Sequence, residues 1–458
     1  MSGPLLDMVV EHAGSQLFRV FVDHHGIFGL VQVLQLIDRI EEFHYSSMLH
    51  LLPLLLRSFG PAPNLKVLHL RPEPAAGPGE SQLGIDLPVI FSGSLPSLRD
   101  LVLTGTVAWP TGLFGGLISF ECGVLDHYPI SPVHVLDVLR ESPMLEVLRL
   151  VGSCKPPQQP GSPAVTLSSL RRCTLIGHGT TTLIRLITVP ASAGVFLGQT
   201  NPYDRSYLPS FDDLSLASGL HVFDDVSAVS ISIYDHVVRL QVKNNHGGIL
   251  DAEESGLHDL SRDPPIFVYF LQGVFECRNI CPGLETTKKF TLHVERGGIW
   301  DDSEAVTYCC IVFTQFFFRT ASIERMKLSG LPKVELAFIL AFLSTSTSAV
   351  THSHSSPNLK RLRIETTPLH SPKLLLEDLD KLFRRRKELG VPFQSVKVKV
   401  KCELLIPAAD HSAYLSSWED LVGEGVRLEY ERAKVEELPK YRRCDHAGGG
   451  EDEDEDED

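Results

Sequence analysis

One short phrase, L-x-x-L-x-L, constrains this chain more than any other feature. It recurs at Leu65-Lys66-Val67-Leu68-His69-Leu70, Leu98-Arg99-Asp100-Leu101-Val102-Leu103, Leu145-Glu146-Val147-Leu148-Arg149-Leu150 and Leu359-Lys360-Arg361-Leu362-Arg363-Ile364. Two residues precede each copy: Pro63-Asn64, Pro96-Ser97, Pro143-Met144 and Pro357-Asn358. Self-similarity at steps of a few tens of residues marks stacked repeats, each too small to bury its own apolar face. Alternation at the end of the phrase puts its last two key residues on one face of a short strand and the residue between them on the other.

Degenerate copies place other apolar residues at the key positions: Leu17/Val20/Val22, Ile40/Phe43/Tyr45, Leu117/Phe120/Cys122, Leu170/Cys173/Leu175, Ile323/Met326/Leu328 and Phe393/Val396/Val398. The weakest are Ala228/Ile231/Ile233 and Thr287/Phe290/Leu292. First positions lie 19 to 36 residues apart, except for gaps of 58 and 59 residues ahead of those two weak copies. Each gap has room for a further repeat or an insertion.

Parallel strands require crossovers, and the intervening segments carry helix signals. Ser131-Pro132 supplies an N-cap and first-turn proline before Val133, Leu136 and Leu139. Ser371-Pro372 does the same before Leu375, Leu379, Leu382 and Leu389, with Gly390 and Pro392 ending the helix. The stretch Leu51–Leu56 reads as another crossover helix. Val396 to Lys401 alternates Val with Lys and reads as a terminal, capping strand whose lysines discourage further pairing.

The expected fold is therefore α/β: an irregular leucine-rich-repeat-like solenoid with parallel strands on the concave side and helical crossovers outside. It occupies 1–444, clearest at 16–176 and 321–430 and irregular or carrying insertions over 177–320. Residues 445–458, Gly-rich and then acidic, are expected to form a disordered tail.

The formal charge of −15 includes eight consecutive acidic residues, Glu451 to Asp458, so the remainder is only mildly acidic. A basic footprint for nucleic acid is lacking. Nine cysteines without a paired spacing read as buried thiols of a reducing compartment. The N-terminus shows no basic and apolar leader, and the longest apolar run, Leu336 to Leu343, is eight residues, against roughly 20 needed to cross a bilayer. No membrane association is expected, and the expected location is cytoplasmic or nuclear.

The spaced P-x-L-x-x-L-x-L phrases with helical crossovers resemble the fungal F-box proteins of mushroom-forming basidiomycetes that carry leucine-rich-repeat-like arrays. The segments Val400 to Pro407, Ser416 to Gly423 and Val426 to Glu431 are similar to the closing part of those proteins. The resemblance implies a substrate-recognition module whose F-box docks on a Skp-type adaptor of a ubiquitin ligase. No F-box is recognisable here, because the first strand phrase begins near Gln16.

Motifs that could carry chemistry are isolated. Gly177-His178-Gly179-Thr180 matches the histidine motif of subtilisin-like proteases without its aspartate and serine companions, and reads as a turn ahead of a helix capped by Thr180 to Thr182. Cys277 and Cys281 have no second ligand pair for zinc. His352 and His354 sit in a Ser/Thr-rich stretch, and Asp212-Asp213, Asp224-Asp225 and Asp301-Asp302 lack a phosphate-binding loop. Arg384-Arg385-Arg386-Lys387 reads as a solvated helix end rather than a localisation signal. No metal or cofactor is implied.

The residue between the last two key positions faces away from the core, so successive repeats display a row: His44, His69, Val102, Glu121, Arg149, Thr174, Lys327, Arg363 and Lys397. Its cationic and imidazole members, His44, His69, Arg149, Lys327, Arg363 and Lys397, are the candidate binding residues. The basic end suits an acidic or phosphorylated protein segment. Two further readings stay open: an enzyme with a non-standard site in 176–286, and a truncated, non-functional family member.

Overall fold

The computed structural model describes residues 11–22, 36–46, 60–71, 85–123, 129–155, 164–177, 179–198, 219–234, 237–255, 285–295, 320–331, 333–344, 357–369, 372–402, 408–422 and 425–432. The strands in chain order are β1 (Phe18–Val22), β2 (Ile40–Tyr45), β3 (Val67–Leu70), β4 (Ile85–Asp86), β5 (Asp100–Thr104), β6 (Thr106–Ala108) and β7 (Ser119–Gly123). There follow β8 (Val147–Val151), β9 (Val165–Thr166), β10 (Arg172–Ile176), β11 (Ile187–Thr188), β12 (Gly194–Gly198), β13 (Val226–Tyr234), β14 (Val237–Asn244) and β15 (Ile249–Ser255). The series ends with β16 (Lys289–Val294), β17 (Arg325–Ser329), β18 (Arg361–Glu365), β19 (Ser395–Cys402) and β20 (Val426–Arg432). The α-helices among the described residues are α1 (Pro132–Glu141), α2 (Lys333–Ser344), α3 (Lys373–Glu388) and α4 (Ala408–Val422).

Sixteen strands form one sheet, ordered β1-β2-β3-β5-β7-β8-β10-β12-β15-β14-β13-β16-β17-β18-β19-β20. Neighbours are parallel except where β14 meets β13 and β15. The key residues of the phrase lie in register across it. Phe43, Leu68, Leu101, Phe120, Leu148, Cys173 and Val195 form one buried row on the N-terminal side. Val229, Phe290, Met326, Leu362, Val396 and Val426 form the corresponding row on the C-terminal side.

These rows and the buried helix residues belong to one continuous apolar cluster. Burying a Leu or Ile contributes roughly 1.5–3 kcal/mol, whereas fixing each backbone residue costs roughly 1–2 kcal/mol. A strand of four or five residues with two buried side chains is therefore stable only through its neighbours.

The residue ahead of the first key position ties one copy to the previous one. Asn64 Nδ2 donates to the Asp38 carbonyl at 2.6 Å, Ser97 Oγ to Pro63 at 2.5 Å and Asn358 Nδ2 to Ala321 at 3.0 Å. Ser322 Oγ donates to the Glu285 carbonyl in the same way. Each acceptor lies two residues before the first key residue of the preceding copy, so the short polar side chain fastens the equivalent turns of adjacent copies to each other.

Both long gaps are explained by the sheet. The first contains an unrecognised strand, β12, whose Val195 and Leu197 stand opposite Cys173 and Leu175. After β12 the chain crosses to β13, returns through antiparallel β14, and comes back as β15 beside β12. The Ala228 copy is displaced by two residues: Val229 and Ile231 stand opposite Phe290 and Leu292, which makes Val226/Val229/Ile231 the true key set. Asn244 fastens the β14–β15 turn, its Oδ1 accepting from Gly248 N at 2.8 Å and its Nδ2 donating to the Ala191 carbonyl at 2.8 Å. A Cβ on Gly248 would lie 1.9 Å from that carbonyl oxygen, so only glycine fits.

Other expectations need correction. Strand β19 is not terminal; β20 pairs with it in parallel along seven residues. Helix α1 buries Pro132, Val135, Leu136, Val138 and Leu139, leaving Val133 exposed, and Ser131 makes no side-chain cap bond. Helix α3 buries Leu375, Leu376, Leu379, Leu382 and Phe383 together with Arg386, whose guanidinium lies over the Phe393 ring and donates to the Leu359 carbonyl at 3.1 Å. Of the basic run expected to be a solvated helix end, Arg384, Arg385 and Lys387 are exposed, with Arg384 on Asp380, Arg385 on Glu388 and Lys387 reaching the Asp420 carbonyl; only Arg386 departs from that reading.

Not every crossover is an α-helix. Between β10 and β12 the chain runs through a 3-10 turn at Thr181–Leu186 and β11, and between β5 and β7 through β6. The expected helix at Leu51–Leu56 lies outside the described residues, as do Cys277, Cys281, His352, His354, Ser371 and the tail. No helix among the described residues is long and apolar enough to cross a membrane.

Candidate functional site

Opposite the core, the sheet presents one row of side chains running across all sixteen strands. From β1 it reads Phe21, His44, His69, Val102, Glu121, Arg149, Thr174, Phe196, Asp251, Gln241, Ser230, Thr291, Lys327, Arg363, Lys397 and Arg427. All six candidate binding residues stand on it. Val102 is the one row member that is fully buried, yet it lies outside the apolar cluster of the other face.

The N-terminal end is aromatic. The Phe21 ring stacks on His44 with centroids 4.4 Å apart and planes 10° from parallel, and His69 meets His44 edge-on at 4.4 Å. Glu42 and Asp100 flank the imidazoles at 3.6 Å each. Burial lowers the His44 pKa below 6.5, with His69 and Arg71 adding to the effect against the opposing pull of Glu42. His44 is therefore neutral near pH 7.

Farther along, the cations are largely neutralised. Arg149 Nη1 lies 3.1 Å from Glu121, and Arg239 with Gln241 holds Asp251. Lys327 Nζ lies 3.3 Å from Glu365, which also accepts from Arg363 Nε at 2.8 Å. Burial pushes the Glu365 carboxyl up, but hydrogen bonds from Arg363 and Lys327 outweigh it and hold it below 4.5. Lys397 pairs with Glu429 at 2.8 Å. Sequence reasoning identified the cations and missed their partners, because Glu365 lies two residues downstream on the same face and Glu429 sits on the unrecognised last strand.

A second row, two residues earlier on the parallel strands and two later on antiparallel β14, is different. Lys243, Ala228, Lys289, Arg325, Arg361 and Ser395 stand opposite one another on β14, β13, β16, β17, β18 and β19. Lys243, Lys289, Arg325 and Arg361 are exposed, and no carboxylate among the described residues lies within 4 Å of any of them. Lys289, Arg325 and Arg361 occupy adjacent strands at a spacing of about 4.8 Å, which concentrates three charges within about 10 Å. Lys288 and Lys360 add exposed charge beside them, with Glu324 between. These positions are the two variable letters of L-x-x-L, which alternation alone does not assign to a face.

His293 Nδ1 lies 2.9 Å from Ser329 Oγ across β16 and β17, but the serine is buried and its nearest carboxylate row partner, Glu365, stands on the serine side rather than behind the histidine. That order does not form a base-oriented relay. Cys154 and Cys173 are buried, which raises their thiols to about 12, and Cys122 and Cys402 are raised by burial as well. Four cysteines are thus buried thiols as expected.

The Gly-His-Gly-Thr turn is structural in what is described of it: Gly177 and Gly179 have φ of +116° and +67°, and Thr180 Oγ1 donates to the Gly152 carbonyl instead of capping the turn. The Asp224-Asp225 doublet is exposed, with Asp224 on His221 and Asp225 on Asn245. No group of three or more metal-ligating side chains exists among the described residues. Neither known protein-family models nor curated proteins give a match to this chain.

Proposed function

We propose that the chain is a binding protein of the leucine-rich-repeat-like solenoid class, related to the substrate-recognition part of fungal F-box proteins. Its open sheet face would hold an acidic or phosphorylated segment of a partner protein. The observation that carries this reading is the exposed, uncompensated row Lys289, Arg325 and Arg361 on three adjacent strands. Two arginines side by side suit bidentate bonds to phosphate or carboxylate, which are charge-assisted and directional. Lys327, Arg363 and Lys397 line the next row and are already balanced by Glu365 and Glu429, so they frame the site rather than supply its net charge.

The enzyme reading draws no support from the described part of 176–286, where His221 pairs with Asp224 and Asp251 is held by Arg239 and Gln241. A phosphopeptide library on a solid support tests the binding reading. Wild-type protein should retain phosphorylated peptides at least tenfold better than their unphosphorylated forms, with the preference falling as salt rises. The variant Lys289→Glu/Arg325→Glu/Arg361→Glu should lose it, whereas Lys397→Ala should change little. Equal retention by a folded triple variant would refute the reading. Co-purification of a Skp-type adaptor would place the protein in a ubiquitin ligase; peptide binding without it would define a free-standing module.

A further inference from the structure

The sequence holds an acidic segment of its own. Glu451 to Asp458 alternates Glu and Asp without interruption and follows Gly448-Gly449-Gly450. The last described strand, β20, ends at Arg432 and lies two strands from Arg361 and four from Lys289. Gly425 of β20 is level with Ser395 and hence with Arg361, so the way back from Arg432 to the cation row covers seven residues of strand. At about 3.3 Å per residue and about 4.8 Å per strand, the direct distance is roughly 25–30 Å.

Eighteen residues, 433–450, separate β20 from the acidic segment. Fully extended they reach about 60 Å, and a flexible chain of that length has a root-mean-square span of about 23 Å. Reach and distance match, the condition under which a tethered group attains its highest effective concentration, on the order of millimolar. The charge is complementary: a run of eight carboxylates against Lys243, Lys289, Arg325 and Arg361, none of which has a carboxylate partner among the described residues.

We infer that the segment Glu451–Asp458 docks in cis across Lys289, Arg325 and Arg361 and occupies the face that a partner's acidic segment would need. The tail acts as a tethered competitor, so only a ligand denser in charge, such as a phosphorylated one, displaces it. The competition rests on the binding reading above; the docking itself does not.

Carbodiimide coupling of the full chain, read by mass spectrometry, tests the docking. Tail carboxylates should join Lys288, Lys289 and Lys360 in preference to Lys373, Lys381 and Lys387 on α3. Arg325→Glu/Arg361→Glu leaves those three lysines in place and should reduce the links at least fivefold, as should 0.5 M salt. A mixture of isotopically light and heavy protein separates docking within one chain from docking between copies: mixed-isotope links would overturn the cis assignment, and unselective links would overturn docking altogether.

A second measurement uses a synthetic phosphoserine-aspartate peptide as probe. Its affinity should rise about tenfold in a variant with Glu451–Asp458 replaced by Gly-Ser repeats. Selective links without peptide binding to either form would sink the partner reading and leave tail docking in place. Peptide binding unchanged by the replacement, together with unselective links, would sink the tail proposal alone.

Discussion

Lys397 on β19 and Glu429 on β20 meet diagonally at 2.8 Å across the outermost described strand pair, although Lys397 stands directly opposite a like charge, Arg427, and Glu429 directly opposite Lys399. Lys399 repeats the diagonal toward Glu431 at 2.6 Å, and Lys401, directly opposite Glu431, lies 3.7 Å from it. The hydrogen bond from Lys397 holds the Glu429 pKa below 4.5, and that from Lys399 does the same for Glu431.

A carboxylate whose folded pKa is depressed contributes stability above its unfolded value, and that contribution is lost as pH falls through the folded value. Amides of Val426–Arg432 should therefore lose hydrogen-exchange protection as pH drops below about 4.5, after correction for intrinsic rates. Strands β3 and β5 should not follow. Unchanged protection of β20 would mean that these exposed pairs add nothing to the edge.

Thr287 fills a first key position where most other copies place Leu or Ile; it is fully buried, and its hydroxyl has no hydrogen-bond partner among the described residues. An unsatisfied buried hydroxyl costs roughly 1–3 kcal/mol. Thr287→Val keeps the shape and removes the penalty, so denaturant unfolding should show a gain of about 1 kcal/mol. A loss of stability would indicate a partner for that hydroxyl.

Gly177 and Gly247 both have positive φ, but their surroundings differ. A Cβ at Gly177 would lie 2.3 Å from the Gly152 oxygen, whereas one at Gly247 would meet open space. Gly247→Ala should cost about 1 kcal/mol from backbone conformation alone. Gly177→Ala should cost at least about 3 kcal/mol, because adjacent strand ends must separate. Similar melting shifts in the two variants would contradict the close approach.

The Phe21 ring is 70% exposed yet covers one face of His44. Phe21→Ala should rehydrate the imidazole and move its titration midpoint up toward 6.5, followed by nuclear magnetic resonance of the ring proton. Because a depressed histidine pKa leaves the unfolded chain binding the proton first, the wild type should lose stability as pH falls through 6.5, and the variant less so. A midpoint that stays put would assign the shift to His69 rather than to burial.

Legibility followed the side-chain period. Leu65, Leu68 and Leu70 announce both strand and face, and the same alternation correctly placed His44, His69, Arg149, Lys327, Arg363 and Lys397 on one row. In Val226-Ser227-Ala228-Val229-Ser230-Ile231-Ser232-Ile233 the alternation is unbroken, which fixes the face but leaves the position along the strand free to slide by two. β12 was hidden because Gly194 and Gly198 bracket it and Ser192 stands three residues before Val195, where most other copies are apolar. The uncompensated cation row fell at Lys289, Arg325 and Arg361, where the chain is only entering the strand and only the register decides the face.

The reversed β13–β14–β15 excursion also determines how the molecule can be divided. β13, made before β14 and β15, is the strand on which β16 must assemble, so a fragment ending after β15 would carry a complete template edge for β16–β20. A nick between 256 and 284 would interrupt none of the described strands, and two separately expressed pieces should reassemble by complementation, with the β13 edge as their seam among the described strands of the sheet. Until the second piece arrives, that unpaired parallel edge is the surface most prone to self-association.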